Sequence, residues 1–276
     1  MKEYFVGTDD PKRAHELEAA MLNAYSLRTR KDPINVGRWM LDSGAFSQIG
    51  LGEEAPGKFV QTPHDYVKLA TRFQDCGDLA CIVTQDYMCE PEVLVNQRKK
   101  HKLSATVRKH QAWTVERYFE ILEQAEMQGL KVPVMPVLQG DDPYDYIFHF
   151  ELYEHYKMEL GIHLPYEWIG IGSTCKRNSN PESVAEILDI LDRHIGPLSD
   201  YKIHAFGLKQ TALGFDDVRD MLYSADSMAP DYAHRVECRE KKIPRTREMR
   251  MKNMLKFQDK IKNQAIQTCF SLRTGT

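Results

Sequence analysis

The sequence predicts an α/β barrel followed by a basic, mainly helical C-terminal extension. Short apolar runs bounded by turn residues or charge recur along the chain and read as buried strands. Segments with a 3.6-residue apolar period separate them, and strand alternating with helix argues for a parallel sheet. Most strand candidates also end in polar or glycine-rich residues: LDSG, TQD, LQG, GIGST, FGLK and ADS. In a closed barrel these ends converge on one face, where such folds place their chemistry; an open sheet would spread them along an edge.

The strand candidates, in order, are residues 4–7, 39–41, 79–84, 132–138, 168–172 and 203–208. The helix candidates are residues 63–76, 115–128, 181–194 and 216–223; Pro63, Pro181 and Asp216 supply start signals to three of them. From about Pro230 the composition shifts to Arg, Lys, Glu and Met, and Pro244 precedes a predicted helix from Arg245 to about Thr268. The expected division is a catalytic barrel over 1–230 and an extension over 231–276. Neither GxGxxG after the first strand nor GxxxxGK[ST] occurs, so dinucleotide and P-loop readings have no support.

With 276 residues, 42% hydrophobic and 28% charged, the chain can bury a sizeable core, which excludes disordered and fibrous classes. No run approaches the ~18 uncharged apolar residues of a spanning helix. The N-terminus MKEYFVGTDD lacks the order of a secretion signal, so a cytoplasmic protein with no membrane partner is expected. Six cysteines in a chain this long do not form a disulfide framework, and a reducing compartment is the simpler expectation.

The net charge of −3 hides an asymmetry. Residues 235–262 hold eleven Lys/Arg against four acids, +7, leaving −10 on the rest. A second basic segment, residues 98–109, has six Lys/Arg and no acid, and follows the strand that ends at Asp86. An acidic body with two basic segments near one mouth fits contact with a phosphate backbone; a solvated helix face is the plainer alternative. The residues concerned are Arg98, Lys99, Lys100, Lys102, Arg239, Lys241, Lys242, Arg245, Arg247 and Arg250.

Asp42 follows an apolar run and precedes Ser43-Gly44, where small residues let a substrate approach the backbone. It is a candidate acid or base, and equally a helix cap in ordinary turn chemistry. Asp226, in YSADSMAP, has similar surroundings. Two such carboxylates facing one pocket could divide the labour at a glycosidic carbon, one attacking and one moving protons. They could also be metal ligands or unrelated caps. Asp86 and Gln139 close two further strands: a carboxylate accepts the paired N–H donors of a guanine-type edge and a carboxamide donates to its O6. Gly170, Gly172 and Ser173 would let backbone groups approach a flat ring, or are strand-end turns.

The order LDSGAFS, VTQDYMC, PVLQG, IGIGST, HAFGLK, ADSMAP resembles the tRNA-guanine transglycosylase superfamily, most closely its shorter, phage-type deazaguanine DNA transglycosylases, over roughly residues 36 to 230. The resemblance implies a TIM-type (β/α)8 barrel that exchanges guanine in a polynucleotide for a 7-deazaguanine base without cutting the backbone. It implies Asp226 as nucleophile at C1′ and Asp42 as general acid/base, with Asp86 and Gln139 reading the base. Ser43, Gly140, Gly172, Ser173, Phe206 and Gly207 are implied around the base, Phe206 packing against it.

Members acting on tRNA carry zinc on a CxCxxC run and a later His. Here only His234, Cys238 and Cys269 follow Asp226, so no metal and no other cofactor is expected. The family's second glycine in DSGGF is Ala45, and its Gly-Leu pair is Ser173-Thr174. His163, His204 and His234 belong to no HxH or HExxH array and read as ordinary histidines, and Met249, Met251 and Met254 as packing residues. The expected function is exchange of guanine in DNA for a preQ0-like base through a covalent sugar–enzyme intermediate. The expected partners are DNA and the free 7-deazapurine, in the host cytoplasm for a phage-encoded chain, with a homodimer as a further expectation. The alternatives are a tRNA-guanine transglycosylase acting on RNA, a retaining nucleosidase or glycosidase using the same two acids, and a silent nucleic-acid-binding barrel.

Overall fold

The computed structural model describes residues 1–49 and 57–274, with side chains to residue 263. Nine strands, all parallel, build one sheet: β1 Glu3–Thr8, β2 Ala19–Asn23, β3 Arg38–Asp42, β4 Asp78–Val83, β5 Val134–Met135, β6 Val137–Leu138, β7 Trp168–Ile171, β8 Lys202–Ala205 and β9 Ser224–Ser227. Their spatial order is β5-β4-β3-β2-β1-β9-β8-β7-β6. The two end strands are neighbours in sequence, separated by Pro136 alone. Proline has no N–H to give a ladder, which divides the predicted 132–138 strand. Its carbonyl still accepts from Gly170 N (2.8 Å), while Val134 pairs with Ile82 and Val137 with Gly170. The sheet thus comes round on itself as a TIM-type barrel, as expected.

Period-two alternation sorts the strand side chains into two cores. Phe5, Met21, Met40, Val83, Met135, Val137 and Trp168 fill the barrel. Val6, Leu22, Leu41, Ile82, Ile171, Ile203 and Ala225 point outward under the helices, meeting residues such as Val67, Phe73, Val115, Ile187 and Leu188. Burying one such aliphatic side chain stabilises by roughly 1.5–3 kcal/mol.

The outer helices have local start and stop signals. Pro63–Phe73 is capped by the Thr62 hydroxyl, and Val107–Gln128 by Thr106 with left-handed Gly129 at its end. Pro143–Leu160 opens on a reciprocal capping box between Asp142 and Asp145. The helix expected at 216–223 is only Asp216–Arg219, followed by β9. Several elements lay outside the sequence reading, the helix Pro143–Leu160 among them and, at the barrel, β2 and the helices Ala45–Ile49 and Pro91–Lys100. The last two pack together there, Gln97 Nε2 donating to the Ile49 carbonyl.

Beyond β9, helix Ala229–Lys241 leads to helix Arg247–Thr274. The latter starts at the mouth, where Arg247 and Arg250 pair with Asp10 and Asp9 just past β1. It descends to the opposite end, where Gln258 accepts from Glu18 N and Lys262 pairs with Glu18 just before β2. Met251, Met254 and Ile261 join the outer core, whereas Met249 is exposed. Among the described residues no helix is long and apolar enough to cross a membrane.

Candidate active site

Because Trp39 and Leu41 face outward, Met40 and Asp42 face into the barrel, and Asp42 stands at the mouth end of β3. Gly44, at φ 81°, turns the chain back over it, and a Cβ there would come within 2.8 Å of Asn23 Oδ1. The N–H groups of Gly44 and Ser43 donate to the Asp42 carboxylate, and Asn23 Nδ2 donates to its Oδ2 (3.2 Å). These donors are outweighed: burial first, then the charges of Asp86 and Asp226, push Asp42 up to about 7.

Asp86 reaches the mouth after a register shift between β3 and β4, where Trp39 pairs with Leu79 but Leu41 with Ile82, an extra residue in β4. Its carboxylate accepts from Gln139 Nε2 and from Ser43 Oγ (3.2 Å). Burial dominates again and pushes it up to about 7, with Glu90 adding in the same direction.

Gln139 is fixed along its length. Its N–H donates to His149 Nδ1 (2.8 Å), its carbonyl accepts from Gln111 Nε2 (2.7 Å), and its Oε1 accepts from Ser173 Oγ (2.6 Å). Burial pushes His149 down to about 3, which keeps the ring neutral and its Nδ1 free to accept. One Gln139 N–H serves Asp86, leaving the second for a ligand acceptor. Gly172 makes this path possible, because a Cβ there would lie 2.3–2.5 Å from the Gln139 amide atoms. Ser173, a non-glycine residue at φ 55°, is held by Cys89 N–H on its hydroxyl (3.2 Å).

Ser43, Asp86, Gln139 and Ser173 are therefore one hydrogen-bonded chain around the mouth, and Glu90 borders it, its Oε2 lying 3.3 Å from Ser173 Oγ. Burial also raises the Glu90 carboxyl above its ordinary range.

Across the mouth, Asp226 is buried near the end of β9. Its Oδ1 accepts from Gly207 N–H (2.9 Å), and Gly207 adopts φ 69° at the end of the β8 run. Phe206 is half-buried; its ring sits edge-on to that of His204 at 4.7 Å and closes over Gly170, where a Cβ would come within 2.6 Å of Phe206 Cε2. Asp42 and Asp226 are thus close enough for the charge of one to shift the other. Gly140 is closely packed: a Cβ there would come within 2.6 Å of Asp145 and 2.9 Å of the Tyr146 ring.

The basic residues divide into two groups. Lys99, Lys102, Arg239 and Lys242 are exposed. Arg98 donates to the Ala105 carbonyl, Lys241 pairs with Glu237, and Arg247 lies 3.6 Å from Asp10. Arg245 and the buried Arg250 both pair with buried Asp231, and Arg250 reaches Asp9 as well, which fastens the last helix to the barrel.

Sequence reasoning passed over Asn23, Glu90 and His204. His204 had a usable signal, since it stands two residues before Phe206 and so on the same strand face. Glu90 reads as an N-terminal residue ahead of Pro91. Asn23 ends the strand the sequence did not predict. Among the described residues no three His, Cys, Asp or Glu are grouped to hold a metal. His234 and Cys238 approach within 3.5 Å, while Cys269 lies outside the described side chains.

Compared with known families, residues 1–275 match the model of DpdA, DeoxyPurine in DNA protein A. No curated protein matches the chain.

Proposed function

The chain belongs to the DpdA family, a family of transglycosylases concerned with deazapurine in DNA, and on that premise we propose that it exchanges guanine in DNA for a 7-deazaguanine base through a covalent deoxyribose–Asp226 intermediate. The observation that carries the reading is the pairing of two unlike acids at one mouth. Asp226 has one oxygen held by Gly207 N–H, while Asp42 is pushed up to about 7 partly by the charge of Asp226.

In the first displacement Asp226 Oδ2 attacks C1′, the C1′–N9 bond breaks, and its electron pair leaves with guanine. Asp42, present in both protonation states near neutrality, gives a proton to the departing base. In the second, Asp42 takes the N9 proton of the incoming 7-deazapurine, N9 attacks C1′, and the C1′–Oδ2 bond breaks to restore the Asp226 carboxylate. Two inversions retain the configuration. Asp86 accepts the N–H donors of the base edge, Gln139 offers its free N–H to O6, and Gly172, Ser173 and Phe206 border the ring. A stacked nucleotide must be turned out to reach this mouth, and the exposed cations of 98–102 and 239–242 suit its flanking phosphates. In this reading the barrel of 1–230 performs the chemistry and 231–276 adds contacts to DNA.

The test is release of labelled guanine from DNA by the full chain with 7-deazapurines bearing cyano, aminomethyl or formamidino groups. Wild type releases at most one equivalent of guanine per protein without an exchange base and turns over repeatedly only when one is supplied, and Asp226→Ala releases none; exchange by Asp226→Ala at the native rate overturns the assignment.

A further inference from the structure

We propose that His204 is a positioning residue for the nucleophile: with Gly207 N–H it holds Oδ1 of Asp226, so that Oδ2 is the oxygen that attacks. The inference rests on the exchange reaction proposed above and assigns a part in it to a buried side chain. His204 pairs in register with Ser224 on the neighbouring strand β9, and the inward-facing residue after Ser224 is Asp226. The imidazole is wholly buried, with the Phe206 ring at 4.7 Å from its own strand and the Phe5 ring at 6.0 Å from β1. Its Nδ1 lies 2.8 Å from Ser224 Oγ. Its Nε2 lies 3.4 Å from Asp226 Oδ1 and makes no hydrogen bond elsewhere.

Two tautomers are possible, and the surroundings decide between them. With the proton on Nδ1, Ser224 would accept it, and the Nε2 lone pair would face a carboxylate oxygen inside an apolar wall, which is repulsive. With the proton on Nε2, the Ser224 hydroxyl donates to Nδ1 and the Nε2–H lies beside Oδ1 at 3.4 Å, near it but not yet in hydrogen-bond geometry. The second arrangement suits both ring nitrogens. The 3.4 Å separation is longer than a hydrogen bond, as donor pairs in unliganded sites often are before substrate draws them in.

The consequence falls on the second half of the reaction. In the intermediate Oδ2 is bonded to C1′ and Oδ1 is a carbonyl oxygen. When the C1′–Oδ2 bond breaks, its electron pair returns to the carboxylate and part of the charge settles on Oδ1, where two donors wait. Donors aimed at developing charge assist its departure. Removing one makes Asp226 a poorer leaving group, so the intermediate lasts longer.

The test compares His204→Phe and His204→Gln, the second retaining an N–H of similar reach, in guanine exchange on DNA. His204→Phe is expected to lower kcat about a hundredfold, with kcat/KM for DNA little changed because KM for DNA falls along with kcat, and to raise the fraction of protein trapped as a covalent DNA adduct on a denaturing gel. His204→Gln recovers much of kcat and the wild-type adduct level. Nitrogen-15 shifts of the wild-type imidazole, read without substrate, are expected to show a proton on Nε2. Native turnover by His204→Phe, an adduct level no higher than wild type, a glutamine variant no better than phenylalanine, or an Nε2 that carries no proton each overturn the inference. Wild-type protein that releases no guanine overturns the proposed function instead, and the nitrogen shifts then decide the histidine's place by themselves.

Discussion

Asp42 and Asp86 hold their protons more tightly in the folded protein than in the unfolded chain, rising from 3.8 to about 7. A carboxyl with a raised folded pKa contributes stability while protonated and loses it as it ionises. The contribution of these two therefore falls as pH rises from about 4 through about 7. Asp86→Asn removes the buried charge and keeps an acceptor for Gln139. Its melting temperature is expected to exceed that of wild type at pH 8 and to approach it at pH 5, with loss of exchange activity at both. Equal shifts at the two pH values would show that ionisation of Asp86 is not the destabilising event. The acid proposed to read the base is in this way kept at a cost to the fold.

At the scale of elements, alternation brings side chains to the mouth and local devices at several strand ends adjust their course. The extra residue in β4 brings Asp86 round, positive φ turns Gly44 and Gly207, and the absence of a side chain at Gly172 lets Gln139 cross β7. Gly172→Ala is expected to displace the Gln139 amide and to break its hydrogen bonds with Asp86 and Ser173. Overpacking of this kind costs about 1–3 kcal/mol, too little to unfold the chain. A folded variant by circular dichroism with little affinity for the free base by calorimetry is the expected pair of results; native affinity would show that Gln139 does not read the base.

For the molecule as a whole, the split of +7 and −10 matters less than which cations are free. Lys99, Lys102, Arg239 and Lys242 face solvent, while Arg250 is buried between Asp9 and Asp231. Changing the four exposed residues to Gln is expected to weaken DNA binding and to flatten its dependence on salt, by about 0.9 in log–log slope for each phosphate that is no longer neutralised. Anisotropy titrations across a salt series measure both, and an unchanged slope removes these residues from the interface. Arg250→Gln acts differently. It leaves buried Asp231 with Arg245 alone, and removing a buried partner costs about 3 kcal/mol, so its expected signature is a lower melting temperature.

The barrel, and the placing of Asp42, Asp86, Gln139 and Ser173 at strand ends, could be read from the sequence because alternation and turn chemistry are local: a few neighbouring residues determine which face a side chain takes and where a strand stops. Strand β2 was not legible. Ala19–Asn23 has a composition as suited to helix as to strand, and only pairing with β1 on one side and β3 on the other makes it extended. Asn23 was missed with it, and its partner Asp42 is 19 residues away; Glu90 meets Ser173 across 83. Periodicity assigns a residue to a face and leaves its neighbour on that face open. Which histidine stands beside Asp226, which charges raise Asp42 and which arginines are already paired depend on the register and closure of the sheet, and only the folded barrel decides them.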